Sequence, residues 1–123
     1  MDRDETTSIS ELRELLLKFR DERDWEQFHD PKNLAEAISI EAAEMLELFL
    51  WKKPEEVEYL LKSNKEYKRA IEDEFADIIC FLLSFSNIAK IDVTGAVAAK
   101  IETNRRKYPV EKAKGSAKKY DQL

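Results

Sequence analysis

Apolar residues recur at intervals of three and four along most of this chain, and the stretch from Ile38 to Trp51 is the clearest example. Such spacing places apolar side chains on one face of an α-helix. Glycine and proline, which end helices and form tight turns, number only 2 and 3 among 123 residues. The pattern therefore predicts an all-α fold, with residues 1–123 forming a single domain.

Capping residues and prolines divide this pattern into separate helices. Ser8 or Ser10 caps the first, and Ser8 has Glu11 at the capping-box spacing. The later helices are predicted at about Lys32–Trp51, Pro54–Leu61, Glu66–Lys90 and Asp92 or Thr94 to Lys107. Residues 109–123 follow as a lysine-rich tail, which we expect to be partly ordered. We therefore predict a four-to-five-helix bundle.

Charge and cysteine content exclude several classes of function. A formal net charge of -5 disfavours binding of a nucleic-acid polymer through bulk electrostatics. The single cysteine, Cys80, excludes an internal disulfide framework and suits a reducing cytoplasm. The charged start, "MDRDETTSIS", lacks the apolar region of a signal peptide, and no uncharged apolar run is long enough to span a bilayer. We expect a cytoplasmic protein without a membrane partner.

Carboxylates interrupt the apolar faces of two predicted helices. Glu41 and Glu44 stand three apart on the second helix, and Glu74 and Asp77 repeat that spacing on the long helix. Residues three apart are neighbours on a helix surface, so each pair can point at one place. Antiparallel pairing of the two helices would bring all four carboxylates together.

Four unpaired anions cannot be buried, since each would cost several kcal/mol. The same faces carry no obvious lysine or arginine, and oxygen ligands at this density suit Mg²⁺, or Mn²⁺ as a substitute. The alternative is a solvated helix face, the usual setting of an E-x-x-E pair. A di-iron bundle would require Glu-x-x-His motifs, and the only histidine, His29, lies outside both pairs.

Five blocks of the sequence resemble one enzyme family. "EAAE" and "EFAD" resemble the E-x-x-E…E-x-x-D signature of the MazG-like all-α nucleoside triphosphate pyrophosphohydrolases. "FRDERDWEQFHDPKNLA", "ELFLWK" and "NRRKYP" resemble the dCTP pyrophosphatase branch of that family. The likeness runs from Glu11 to the end of the chain.

The resemblance implies a reaction in which water attacks the α-phosphorus of dCTP or a modified dCTP, yielding the monophosphate and pyrophosphate. The implied catalytic and metal-binding residues are Glu41, Glu44, Glu74 and Asp77. The implied phosphate-binding residues are Lys100, Asn104, Lys107 and Tyr108. The implied base-binding residues are Trp25, His29 and Trp51, whereas Phe28 is assigned to the core. The family further implies a homodimer or a tetramer formed from two dimers, active in removing unwanted nucleotides.

Other functions remain open on the sequence. The segment between "LWKKPEE" and the second acidic pair is shorter than in animal dCTP enzymes, which leaves dUTP or phosphoribosyl-ATP as alternative substrates. The proposed binding residues also have structural explanations. The cations near Lys107 suit the C-terminal end of a helix, and Trp25, His29 and Trp51 could simply pack in a core. A non-catalytic helical interaction module is the alternative from a different class.

Overall fold

A computed structural model describes residues 2–123 of the protein, and the regular structure in that range is entirely helical. The helices are α1 (Ile9–Glu22), α2 (Pro31–Glu47), α3 (Pro54–Ser63), α4 (Lys65–Ala89), α5 (Val93–Lys107) and α6 (Val110–Ala113). Single three-ten turns lie at Glu26–Phe28 and Tyr120–Gln122. The predicted all-α fold is confirmed.

Polar side chains begin these helices where the sequence contains good capping residues. Ser8 and Glu11 form a full capping box, in which the Glu11 N–H donates to the Ser8 hydroxyl at 3.1 Å. The Asn64 side chain accepts from the Tyr67 N–H at 3.0 Å, and Asp92 caps α5 in the same manner. Such caps satisfy backbone donors that the first helical turn leaves unpaired.

The end of α2 differs from the prediction. The helix stops at Glu47 rather than at Trp51, and residues 48–51 form turns. Trp51 has a φ of 65°, in the left-handed region that costs a non-glycine residue about 1–2 kcal/mol. The Tyr67 hydroxyl donates to the Leu48 carbonyl at 2.7 Å, which satisfies one backbone acceptor that the ending helix leaves unpaired.

Helix α4 is the centre of the first part of the chain, because α1, α2 and α3 all pack on it and α2 does so most extensively. Leu34 of α2 and Leu83 of α4 are the buried apolar side chains of the described residues. Arg13 joins α1 to α4, since its Nε donates to Asn87 Oδ1 at 3.0 Å and Asn87 Nδ2 donates back to the Arg13 carbonyl. This packing sets the register of α2 and α4, the two helices that carry the acidic pairs.

The chain divides into two compact units, one ending at Lys90 and the other spanning Ile91–Leu123. The first contains α1 to α4, and the second contains α5, α6 and the tail. The single domain expected from the sequence stays a prediction. Within residues 2–123, no helix taken alone has the length and apolar content to cross a membrane.

Many apolar side chains that the helical pattern placed on inward faces lie at the surface of the single chain. Phe28 is 59% exposed, so its assignment to the core was wrong. Exposed apolar residues on α2 and α4 and in the turn between α2 and α3 are Ile40, Leu46, Leu50, Phe75 and Leu82. Large exposed apolar patches are typical of surfaces that bind another protein.

Candidate functional site

Three of the four predicted carboxylates meet where α2 packs on α4. One carboxylate oxygen from each of Glu41, Glu44 and Glu74 lies within 4.8 Å of the other two. Glu41 and Glu74 are half-buried, whereas Glu44 is exposed and opens the cluster to solvent. The spacing of three on α2 and the contact between the two helices together produce this arrangement.

The cluster is short of hydrogen-bond donors. Oε2 of Glu41 and Oε2 of Glu74 are shielded from solvent and have no hydrogen-bond partner among residues 2–123. Burial, hydrogen bonding to Glu44 and Glu74, and the negative charges of Glu44 and Asp77 raise the pKa of Glu41 to about 7. A protonated Glu41 has one O–H and can donate one hydrogen bond, to Glu44 or to Glu74, whereas the anion can donate none. Without a cation, the cluster therefore binds a proton near neutral pH.

Asp77 lies at the margin of the cluster. Its charge acts on Glu41, but its oxygens are outside the set of three that lie within 4.8 Å of one another. It also borders Cys80, whose thiol pKa is raised by burial and by the Asp77 charge. The high pKa keeps Cys80 protonated and therefore a weak metal ligand.

The carboxylate cluster has the oxygen ligands of a divalent-cation site. Its ligands are all carboxylate oxygens, the type that Mg²⁺ and Mn²⁺ prefer. Two of the oxygens are buried without a donor from the described residues, and such an arrangement is costly unless a proton or a cation occupies it. Glu41, Glu44 and Glu74 are thus the residues that would hold the metal, with Asp77 beside them.

Two of the three predicted base-binding residues lie together before α2. The ring centroids of Trp25 and His29 are 6.4 Å apart, and Trp25 packs edge-on against Phe19 at 5.7 Å. Burial and the nearby Arg20 lower the pKa of His29, so the imidazole is neutral at pH 7. Its Nδ1 is shielded from solvent and has no hydrogen-bond partner in the described chain. Trp25 and His29 thus offer a flat indole beside a neutral imidazole.

Trp51, the third predicted base-binding residue, is on the surface. Trp51 is 93% exposed and lies in the turn after α2, where its backbone is left-handed. A tryptophan this exposed cannot enclose a ligand within its own chain. If it binds a base, another molecule must form the opposite side of the pocket.

The four predicted phosphate-binding residues lie in the second unit, along α5 and at its end. Lys100, Asn104 and Lys107 are four and three residues apart on one helix face, and Tyr108 is the C-cap residue. The Tyr108 N–H donates to the Asn104 carbonyl at 2.8 Å. Arg105 pairs with Glu102 at 3.5 Å, whereas no ion pair is formed by Lys100 or Lys107 with residues 2–123. These two lysines retain their full charge for an anionic ligand.

Two aromatic contacts were not predicted from the sequence. Phe19, counted in the apolar stripe of α1, packs on Trp25 and also lies 3.7 Å from the Arg23 guanidinium. Tyr120, within the lysine-rich tail, contacts Tyr108 and Lys107. An aromatic residue among lysines was the available signal for the second contact, but spacing does not reveal contacts between distant segments.

The chain is similar in sequence to one family and to proteins of one name from two mammals. The model of the MazG-like family matches residues 37–123. The protein named dCTP pyrophosphatase 1 from Bos taurus is 41% identical over 116 residues, which are 94% of this chain and 68% of the bovine protein. Its namesake from Homo sapiens is 37% identical over the same length.

A solved structure extends this similarity to the fold. The crystal structure of a pyrophosphatase from Archaeoglobus fulgidus DSM 4304 matches with a TM-score of 0.77 and 40% sequence identity. The match covers 89% of this chain and 99% of the archaeal chain. The helical architecture is therefore shared along nearly the whole length of both proteins.

Proposed function

We propose that this chain, which belongs to the MazG-like family, is a nucleoside triphosphate pyrophosphohydrolase that acts on dCTP or a modified dCTP. The enzyme hydrolyses the anhydride bond between the α- and β-phosphates, yielding the monophosphate and pyrophosphate. Relatives named dCTP pyrophosphatase 1 support this activity. The observation that carries it in this molecule is the trio of Glu41, Glu44 and Glu74, with two buried oxygens that no donor among residues 2–123 satisfies.

The trio would hold the cation that this chemistry requires, which we take to be Mg²⁺ with Mn²⁺ as a substitute. Such an ion neutralises phosphate oxygens and stabilises the charge that develops at the reacting phosphorus. Asp77 adds negative charge next to Glu41. A carboxylate of the cluster accepts a hydrogen bond from the attacking water and so aims it at the α-phosphorus. Exposed Glu44 gives water a path to the cluster.

The base is bound by Trp25 and His29. An indole face stacks on a nucleobase, and such stacking contributes about 1–3 kcal/mol. The neutral imidazole of His29 can pair with the edge of a base through Nε2, as a donor or an acceptor according to its tautomer, because its Nδ1 is shielded from solvent. Lys100, Asn104, Lys107 and Tyr108 bind the phosphates, since their cations and donors match phosphate oxygens.

The protein assembles as a homodimer or as a tetramer formed from two dimers. Exposed apolar residues on α2 and α4 are the surface that a second copy covers. In that assembly Trp51 reaches the base pocket of the neighbouring chain. We place the enzyme in the cytoplasm, where a reducing environment preserves the free thiol of Cys80.

Sedimentation velocity tests this assembly. We expect a species of at least twice the 14.4 kDa mass of one chain, because the single chain leaves so many apolar side chains exposed. Replacing Leu46, one such residue, by lysine should shift the protein toward the single chain, whereas Lys68→Glu on an exposed position should not. A stable single chain at micromolar concentration would contradict the proposed assembly.

A panel of nucleotides tests the substrate. The standard dNTPs and NTPs, dUTP and 5-substituted dCTP would each be incubated with Mg²⁺ or with EDTA, and pyrophosphate and orthophosphate measured separately. We expect Mg²⁺-dependent pyrophosphate release that favours dCTP and its analogues. Trp25→Ala should raise KM for the preferred base about 10-fold, in line with one lost stacking contact. A different preference would retain the reaction and exclude the proposed base.

A further inference from the structure

The C-terminal tail folds back onto the end of α5 within the second unit. The rings of Tyr120 and Tyr108 meet edge to face, with centroids 6.2 Å apart. The Nζ of Lys107 lies 4.7 Å from the centroid of the Tyr120 ring. We call Lys107, Tyr108 and Tyr120 the tail clasp. It joins two proposed phosphate-binding residues to a residue twelve positions further along the chain.

The ring of Tyr120 has a particular effect on Lys107. A lysine ammonium is attracted to the face of an aromatic ring, and this attraction restricts a long, flexible side chain. A carboxylate partner would also order the lysine but would cancel its charge, as Glu102 does for Arg105. The ring carries no charge, and Lys107 forms no ion pair with residues 2–123. Lys107 is therefore held in one region while its full charge stays available.

We propose that Tyr120 is a positioning residue, which holds Lys107 ready for the triphosphate part of the substrate. This inference rests on the proposed function, since the phosphate-binding role of Lys107 belongs to it. A lysine that is ordered before binding loses less conformational freedom when it contacts a phosphate. The tail thus contributes to affinity for phosphates without touching the reacting atoms.

Three variants test the tail clasp. Tyr120→Leu removes the π face, Tyr120→Phe retains it, and Lys107→Ala removes the cation. The Tyr120 hydroxyl makes no hydrogen bond to residues 2–123, so the phenylalanine variant should behave as the original chain does. Tyr120→Leu should weaken binding of inorganic tripolyphosphate, measured by calorimetry, about three- to fivefold. KM for the best substrate of the panel should rise by the same factor, with kcat within about twofold.

The double variant separates positioning from a general loss of structure. If Tyr120 acts through Lys107, adding Tyr120→Leu to Lys107→Ala should weaken tripolyphosphate binding no further. An equal loss on both backgrounds, or the same loss in Tyr120→Phe, would overturn the proposal, as would unchanged binding in Tyr120→Leu. Tyr59→Leu, at an exposed tyrosine of α3, is the matched control and should leave binding unchanged.

The same measurements distinguish failure of the proposed function from failure of the role proposed for Tyr120. If the original chain hydrolyses no triphosphate, the proposed function fails, while tripolyphosphate binding still tests the tail clasp. If the chain hydrolyses a triphosphate and Tyr120→Leu matches it in KM and in tripolyphosphate binding, only the role of Tyr120 fails.

Discussion

Replacing Glu41 by glutamine should lower kcat at least about 100-fold. The substitution keeps the shape of the side chain and one carbonyl oxygen but removes the charge that holds the cation. Residues that merely orient metal ligands cost about 10–100-fold when changed, so the loss of a ligand should cost at least the upper value. Steady-state pyrophosphate release at saturating Mg²⁺ measures the effect.

The matched control for this variant is Glu47→Gln. Glu47 lies on the same helix, is exposed, and stands outside the three-carboxylate cluster. It should retain normal turnover, so that the two variants compare loss of one negative charge inside and outside the site. Full activity of the Glu41 variant at limiting Mg²⁺ would exclude Glu41 as a ligand.

Mg²⁺ at a hundredfold excess over its Kd at pH 7 should raise the melting temperature by about 10 °C. At that fixed concentration, the gain should grow as pH rises to about 7. The folded-state pKa of Glu41 is raised from 4.5 to about 7. Between these values the metal-free folded chain keeps a proton that the unfolded chain has lost. The contribution of Glu41 to metal-free stability is therefore greatest below pH 4.5 and falls as pH rises to 7. Mg²⁺ competes with that proton. The stabilisation by Mg²⁺ should therefore increase over the same pH range.

Melting curves in EDTA and in Mg²⁺, recorded from pH 5 to pH 8, test this linkage. His29 acts in the opposite direction, because its lowered pKa means that the folded state loses its proton first. The difference between the original chain and Glu41→Gln isolates the contribution of Glu41. In EDTA the variant should be the more stable of the two at pH 8, since it removes one negative charge from the cluster. A Mg²⁺ effect of equal size in both proteins would place the ion elsewhere.

Helix positions were largely predictable because their signals are local. Ser8, Asp92 and the prolines at the starts of α2 and α3 act on the adjacent backbone, and the observed helices begin at or next to the predicted residues. The early end of α2 was not predictable. Trp51 adopts a left-handed conformation that sequence rules assign to glycine or asparagine, and nothing in "ELFLWK" marks it.

The candidate site was predictable only as far as spacing determines it. The interval of three placed Glu41 and Glu44 together, and two interrupted stripes indicated that a second helix would face them. The register between α2 and α4 depends on packing of the whole first unit, and that register leaves Asp77 at the margin. The exposure of Trp51 and Phe28 depends on which faces the other helices cover, which periodicity alone does not specify.

The most direct test of the proposed reaction is to identify the phosphorus atom that water attacks. Hydrolysis of the preferred triphosphate in ¹⁸O-labelled water, with Mg²⁺ present, would be followed by mass spectrometry of both products. Attack at the α-phosphorus predicts one ¹⁸O in the monophosphate, none in the pyrophosphate, and no release of orthophosphate. Label in the pyrophosphate, or orthophosphate as the product, would contradict the proposed reaction.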